Sequence, residues 1–103
     1  MKRILKFIVA GQTISRDPTC NFEGLHRGTV GYLYAQFSFS REWMGCKKAA
    51  SFYSLGKEYA VPILNSQCLI PEEALRQREW TVSVTGIKPE FKIVTGKEKV
   101  VQG

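Results

Sequence analysis

The chain has 103 residues, enough for one domain whose core needs neither a disulfide framework nor a metal. Hydrophobic residues make up 44% and charged residues 23%, which is too apolar for a disordered chain, and no run approaches the ~20 apolar residues of a spanning helix. Fifteen Lys and Arg against nine Asp and Glu give a net charge of +6, which attracts an acidic partner: nucleic acid, a membrane surface or an acidic protein face.

The opening Lys2-Arg3-Ile4-Leu5 has the look of a signal peptide, but Lys6 interrupts the apolar run and Gln12 ends it. Arg3 to Val9 therefore reads as a strand, with Leu5, Phe7 and Val9 on one face and Ile4 and Ile8 on the other. Gly11 to Gly31 follows as a long, turn-rich connection containing Asp17-Pro18, Gly24 and Gly28, the kind of loop that often binds. Leu33 to Phe39 is the clearest strand: Leu33, Ala35, Phe37 and Phe39 alternate with Tyr34, Gln36 and Ser38.

Lys48 to Tyr53 is a weaker strand, and Ser54-Leu55-Gly56-Lys57 a turn. Glu58 to Leu64 is expected at a sheet edge, because Pro62 has no N–H for a ladder. After a turn at Asn65-Ser66 comes a short strand, Gln67 to Ile70, and then one helical turn over Pro71 to Arg76, with proline first, acids next and a base last. Glu79 to Thr85 is the second central strand, directing Trp80, Val82 and Val84 inward. A turn is expected at Gly86-Ile87-Lys88-Pro89, and Phe91 to Val101 closes the chain with an interruption near Gly96. About seven short strands with one helical turn predict an all-β fold, an immunoglobulin-like two-sheet β-sandwich spanning 1–103 as a single domain.

Chemistry-bearing residues are sparse. Cys20, Cys46 and Cys68 are odd in number and widely spaced, which fits unpaired thiols in a reducing compartment. His26 is the only histidine, and with Cys20 it makes no recognisable hydrolase signature and too few ligands for a closed zinc site. Glu72 and Glu73 suit the start of a helical turn better than an acid/base pair. There is no G-x-G-x-x-G and no P-loop. The expectation is a protein that is not an enzyme, with no catalytic residues, no cofactor and no metal.

Binding residues are easier to find. If the first and last strands were neighbours, Lys2, Arg3 and Lys6 would join Lys88, Lys92, Lys97 and Lys99 in one basic stripe, and Tyr32 and Tyr34 could stack on bases. Lysines also protect sheet edges from aggregation, and without an aromatic RNA-binding motif nucleic acid is not the expected partner. Outward tyrosines instead suit a protein interface. Ile4 and Ile8 need cover from a loop of the same chain or from a partner, so Ile4, Ile8, Phe22, Leu25, Tyr32 and Tyr34 form the candidate protein interface.

The series Phe37 to Gly45, Lys48 to Tyr53, Cys68 to Leu75 and Val82 to Gly86 resembles small immunoglobulin-like domains of phages and prophages of Gram-positive hosts, including the N-terminal module of upper baseplate proteins. The likeness spans about residues 31–101, with Met44 where members carry an acid and Val94-Thr95-Gly96 where they carry a different turn. It fits Trp43 tucked onto the core and Gly45 reversing the chain. It implies a virion structural protein, made in the host bacterial cytoplasm, that docks on phage capsid or tail proteins, with copies of itself as a further candidate partner and no membrane partner. A chain ending at Gly103 is expected to lack the fibre-forming continuation of a baseplate protein, which suits decorating a capsid, or else joining or capping part of a tail. The alternatives are a phage-encoded inhibitor of a host defence factor and a basic single-stranded nucleic-acid-binding domain.

Overall fold

A computed structural model describes residues 2–103. Among these residues, nine strands form two packed sheets: β1 (Arg3–Ala10), β2 (Thr13–Arg16), β3 (Leu33–Phe39), β4 (Lys47–Ser54), β5 (Lys57–Pro62), β6 (Gln67–Leu69), β7 (Glu79–Lys88), β8 (Phe91–Val94) and β9 (Glu98–Val101). The first sheet runs β2-β1-β3-β6; the second runs β5-β4-β7-β8, with β9 also on β7. The expected all-β two-sheet sandwich is the observed architecture.

Its core follows from the alternation along the central strands. β1 turns Leu5, Phe7 and Val9 inward, β3 adds Leu33, Ala35 and Phe37, and β7 opposes them with Trp80, Val82 and Val84. Inward side chains line up between β1 and β3: Leu5 faces Ala35, and Phe7 faces Phe37 with ring centroids 5.7 Å apart. Trp43 is fully buried at the corner after β3, its indole N–H donating to the carbonyl of Gly11 at 2.9 Å. Gly45 then adopts φ 79°, a left-handed conformation, as the chain reverses toward β4.

β1 and β3 are parallel, whereas both sheets of an immunoglobulin domain are antiparallel. A parallel pair cannot be closed by a tight turn and requires a long crossover, which is the structural reason for the stretch between residues 10 and 33. That stretch is more ordered than a loop: the two-residue turn Gly11-Gln12 starts β2, which folds back on β1 through Phe7–Arg16, Ile8–Ser15, Val9–Ile14 and Ala10–Thr13.

β5 lies at the edge of the second sheet, as Pro62 requires. The turn expected at Gly86 is displaced, because β7 continues through Lys88 and reverses at Pro89-Glu90. Gly86 is needed within the strand, where the Trp43 ring lies against it. The last expected strand is split, as anticipated near Gly96, into β8 and β9, which follow one another along the same side of β7. Only Ala74–Arg76 of the expected helical turn winds, as a 3-10 turn, and a second such turn forms at Arg41–Trp43.

Both sides of the sandwich are partly closed. On one side Gly96 N–H donates to the Gln12 carbonyl at 3.0 Å and Arg16 pairs with Glu98 at 3.2 Å, tying β2 to the β8–β9 segment. On the other, a bridge between Leu64 and Gln67 carries the chain from β5 to β6.

Candidate functional site

The outer face of the first sheet carries one apolar row. Because β1 and β3 run in parallel register, Ile4 lies beside Tyr34; because β3 and β6 are antiparallel, Tyr34 lies beside Leu69. Ile4, Tyr34 and Leu69 thus cross three strands in line, on the opposite side from Leu5, Ala35 and Cys68. Ile4 and Tyr34 are half-buried, Leu69 is 39% exposed and Tyr32, just before β3, is 41% exposed. Lys2 lies over the Tyr34 ring, its ammonium 4.6 Å from the centroid, and donates to Gln67 Oε1 at 3.2 Å. The next row, Lys6, Gln36 and Gln67, is polar. The face is an apolar strip with cationic margins, which suits a partner offering apolar surface rimmed by acids.

The crossover takes the edge of β1, and Ile4 and Ile8 remain half-buried. Asp17 N–H donates to the Lys6 carbonyl at 2.9 Å, Lys6 N–H to Cys20 Sγ at 3.4 Å, and Cys20 S–H to the Ile4 carbonyl at 3.7 Å. Asp17 Oδ1 accepts from the Thr19 N–H and hydroxyl at 2.9 and 2.7 Å, which fixes the turn through Pro18 and, with the nearby Lys6 charge, holds the carboxyl below its ordinary range.

Two of the six expected interface residues are placed differently. Leu25 is 5% exposed in the core, and Phe22 packs edge-on against Phe7 with centroids 5.4 Å apart. Leu25 belongs to the core and Phe22, half-buried, packs against its rim, because the crossover closes the sandwich beside β1. Ile4, Ile8, Tyr32 and Tyr34 remain available, but Ile8 lies two rows from Ile4, beyond the polar Lys6 row, beside Ser38 and Ser15. Leu69 joins them unexpectedly; its signal was the burial of Cys68 and Ile70 on either side, which turns it outward. Tyr53, also an outward aromatic, lies on the second sheet, its hydroxyl 3.1 Å from Ser83 Oγ and its ring under Lys97.

The single basic stripe does not form. β1 belongs to the first sheet and β8 and β9 to the second, so their lysines are not neighbours in one ladder. Several cations are also engaged: Arg3 donates to the carbonyls of Asn21 and Glu23 at 3.0 and 2.7 Å, and Lys99 pairs with Glu79 at 2.8 Å.

Among the described residues, no group of three or more His, Cys, Asp and Glu side chains is placed to hold a metal ion. Cys20 is spent on the β1 backbone, and Cys46 and Cys68 are buried and unpaired. Burial pushes the Cys68 thiol up to about 12, which makes it a poor nucleophile at neutral pH. No helix among the described residues is long and apolar enough to cross a membrane. Comparison with protein families, with curated proteins and with solved structures found no match to this chain.

Proposed function

We propose that this protein is a protein-binding β-sandwich that serves as a structural component of a phage particle, decorating the capsid or joining the tail or baseplate. The observation that carries the binding role is the Ile4–Tyr34–Leu69 row, an apolar strip on a sheet face with no further layer of the described residues packed over it. The resemblance of residues 31–101 to phage domains supports the particle. Repeated docking on a symmetric lattice multiplies a modest contact into stable attachment, so a strip of this size suffices. The second reading, an inhibitor of a host defence factor, would use the same strip on a single soluble target.

Tyr34→Asp and Leu69→Asp place a carboxylate in the strip without touching the core, so both variants should keep the parent's unfolding midpoint. Proteomics on gradient-purified particles should find the parent at a copy number fixed by particle symmetry and the variants depleted at least about tenfold. Absence of the parent from particles, with abundance in infected-cell cytosol, would replace the structural role with the inhibitor.

A further inference from the structure

β5 is the outermost strand of the second sheet, paired among the described residues with β4 alone. The turn Leu55-Gly56 sets Ser54 opposite Lys57, and Ile63 N–H donates to the Lys48 carbonyl at 3.0 Å, so Lys57, Tyr59, Val61 and Ile63 turn their backbone groups toward β4. Glu58 and Ala60, one residue out of phase, turn theirs away, and no backbone group of the described residues meets them. Both residues are exposed. The open edge ends at Leu64, whose N–H donates to the Gln67 carbonyl at 3.0 Å and whose carbonyl accepts from Gln67 at 3.1 Å.

The two ends of this strand carry the most exposed large hydrophobic side chains among the described residues, Leu55 at 79% and Leu64 at 73%. Leu55 also sits at φ 51°, in the left-handed region where leucine is strained and asparagine or glycine is at ease. Neither the turn nor the core calls for a leucine there. The two leucines flank Tyr59 at nearly equal spacing, so a two-fold axis at Tyr59 carries each to the other's end of the strand.

We propose that β5 pairs antiparallel with β5 of a second copy about a two-fold axis at Tyr59, joining the two second sheets into one. In that register Glu58 of each copy faces Ala60 of the other, and the N–H and C=O groups that turn away from β4 bond to one another across the axis. Pro62, which has no N–H to give, falls beyond these pairs, opposite Gly56 of the second copy's turn. An axis at Glu58 would set two carboxylates face to face, and an axis at Ala60 would set Glu58 against Pro62 and leave its carbonyl without a donor. On the half-buried face Tyr59 lies beside Tyr59, and at each end Leu55 reaches the other copy's Ile63 and Leu64. An extended segment of any protein could satisfy the backbone groups, but a second copy also covers Leu55 and Leu64 at once, each with the other. The pairing leaves the strip on the first sheet free and stands whether or not that strip docks.

Sedimentation velocity on the full chain should show a dimer with a dissociation constant below about 100 μM. Amide hydrogen exchange at Glu58 and Ala60 should slow at least about tenfold as the dimer forms. Ala60→Pro removes an N–H that β4 does not use, and Leu55→Asn places in the turn a residue that tolerates its backbone. Each should weaken dimerisation at least about tenfold while keeping the monomer's unfolding midpoint, and where Ala60→Pro does not fold, Leu55→Asn decides. Leu69→Asp, in the strip on the first sheet, should dimerise as the parent does. A parent still monomeric at about 1 mM would overturn the pairing and leave the edge to a strand of another protein. So would unchanged exchange at Glu58 and Ala60 in the dimer, dimerisation undiminished in either folded edge variant, or dimerisation lost in Leu69→Asp, which would move self-association to the strip.

Discussion

Gly86 lies beneath the Trp43 indole, and the fit leaves no room for a methyl group. A Cβ built there would sit 2.8 Å from Cε3 and Cζ3 of Trp43 and 3.2 Å from the Cβ of Cys46, in the middle of a strand paired on both sides. Gly86→Ala should therefore cost about 1–3 kcal/mol through overpacking. Combined with Trp43→Phe, whose smaller ring vacates part of the space, it should cost less than the sum of the two changes by at least about 0.5 kcal/mol. Urea unfolding of the four proteins reads this directly, and additive losses would mean that the indole does not rest on Gly86. A second expectation at this scale concerns Cys68. Its folded pKa is raised to about 12 from 9.0, so the folded state keeps a proton that the unfolded chain releases. The stability that this contributes is complete below pH 9 and is lost as the pH rises toward 12, at up to about 1.4 kcal/mol per pH unit. Urea midpoints above about pH 9 should thus fall more steeply in the parent than in Cys68→Ala, whatever the variant's starting stability. Parallel falls would remove the thiol from the account.

At the scale of elements, what could be read in advance depended on how much of the evidence was local. β3 and β7 alternate apolar residues on the buried face with polar or hydroxyl-bearing ones on the other, so Leu33-Tyr34-Ala35 and Trp80-Thr81-Val82 carry their strand assignment in their own alternation. β2 turns only Ile14 fully inward, and four residues with one buried side chain give no usable period; its cue was the two-residue turn Gly11-Gln12 between Ala10 and Thr13. The parallel pairing of β1 and β3 left no trace in their alternation, because parallel and antiparallel strands share the same period of two. Gly86 was taken for a turn because Gly followed by Pro89 imitates one; the reason for that glycine lies more than forty residues away in sequence, at Trp43. The candidate site divides in the same way. That Ile4 and Tyr34 turn away from their strands' buried faces could be seen from each strand alone, whereas the row with Leu69 exists only once three strands are in register. Phe22 and Leu25 were assigned to the interface because long loops often bind, but this crossover closes the core and supplies apolar side chains to do so.

For the whole molecule, measuring 41 × 29 × 23 Å, the question is what the charge of +6 does. Tight phosphate binding needs cations gathered along a path that a backbone can follow, since each contact adds one released counterion. Here the cations are dispersed. Lys2 and Lys6 lie on the first sheet beside the apolar strip, Lys47 and Lys92 flank the exposed Ile87 across β4, β7 and β8 on the second, and Arg78 and Lys97 line an open cleft beside the β4–β5 turn. Arg16, Arg76 and Lys99 are paired with Glu98, Glu72 and Glu79. The charge is therefore suited to drawing the protein toward an acidic surface, with apolar burial holding it there, rather than to gripping a nucleic-acid strand. Anisotropy titrations of a labelled random oligonucleotide near physiological salt should give a dissociation constant weaker than about 10 μM, with a shallow dependence on salt corresponding to only a few phosphate contacts. Sub-micromolar binding that collapses steeply as salt rises would show that the dispersed lysines act together after all, and would make nucleic acid the partner in place of the protein surface proposed above.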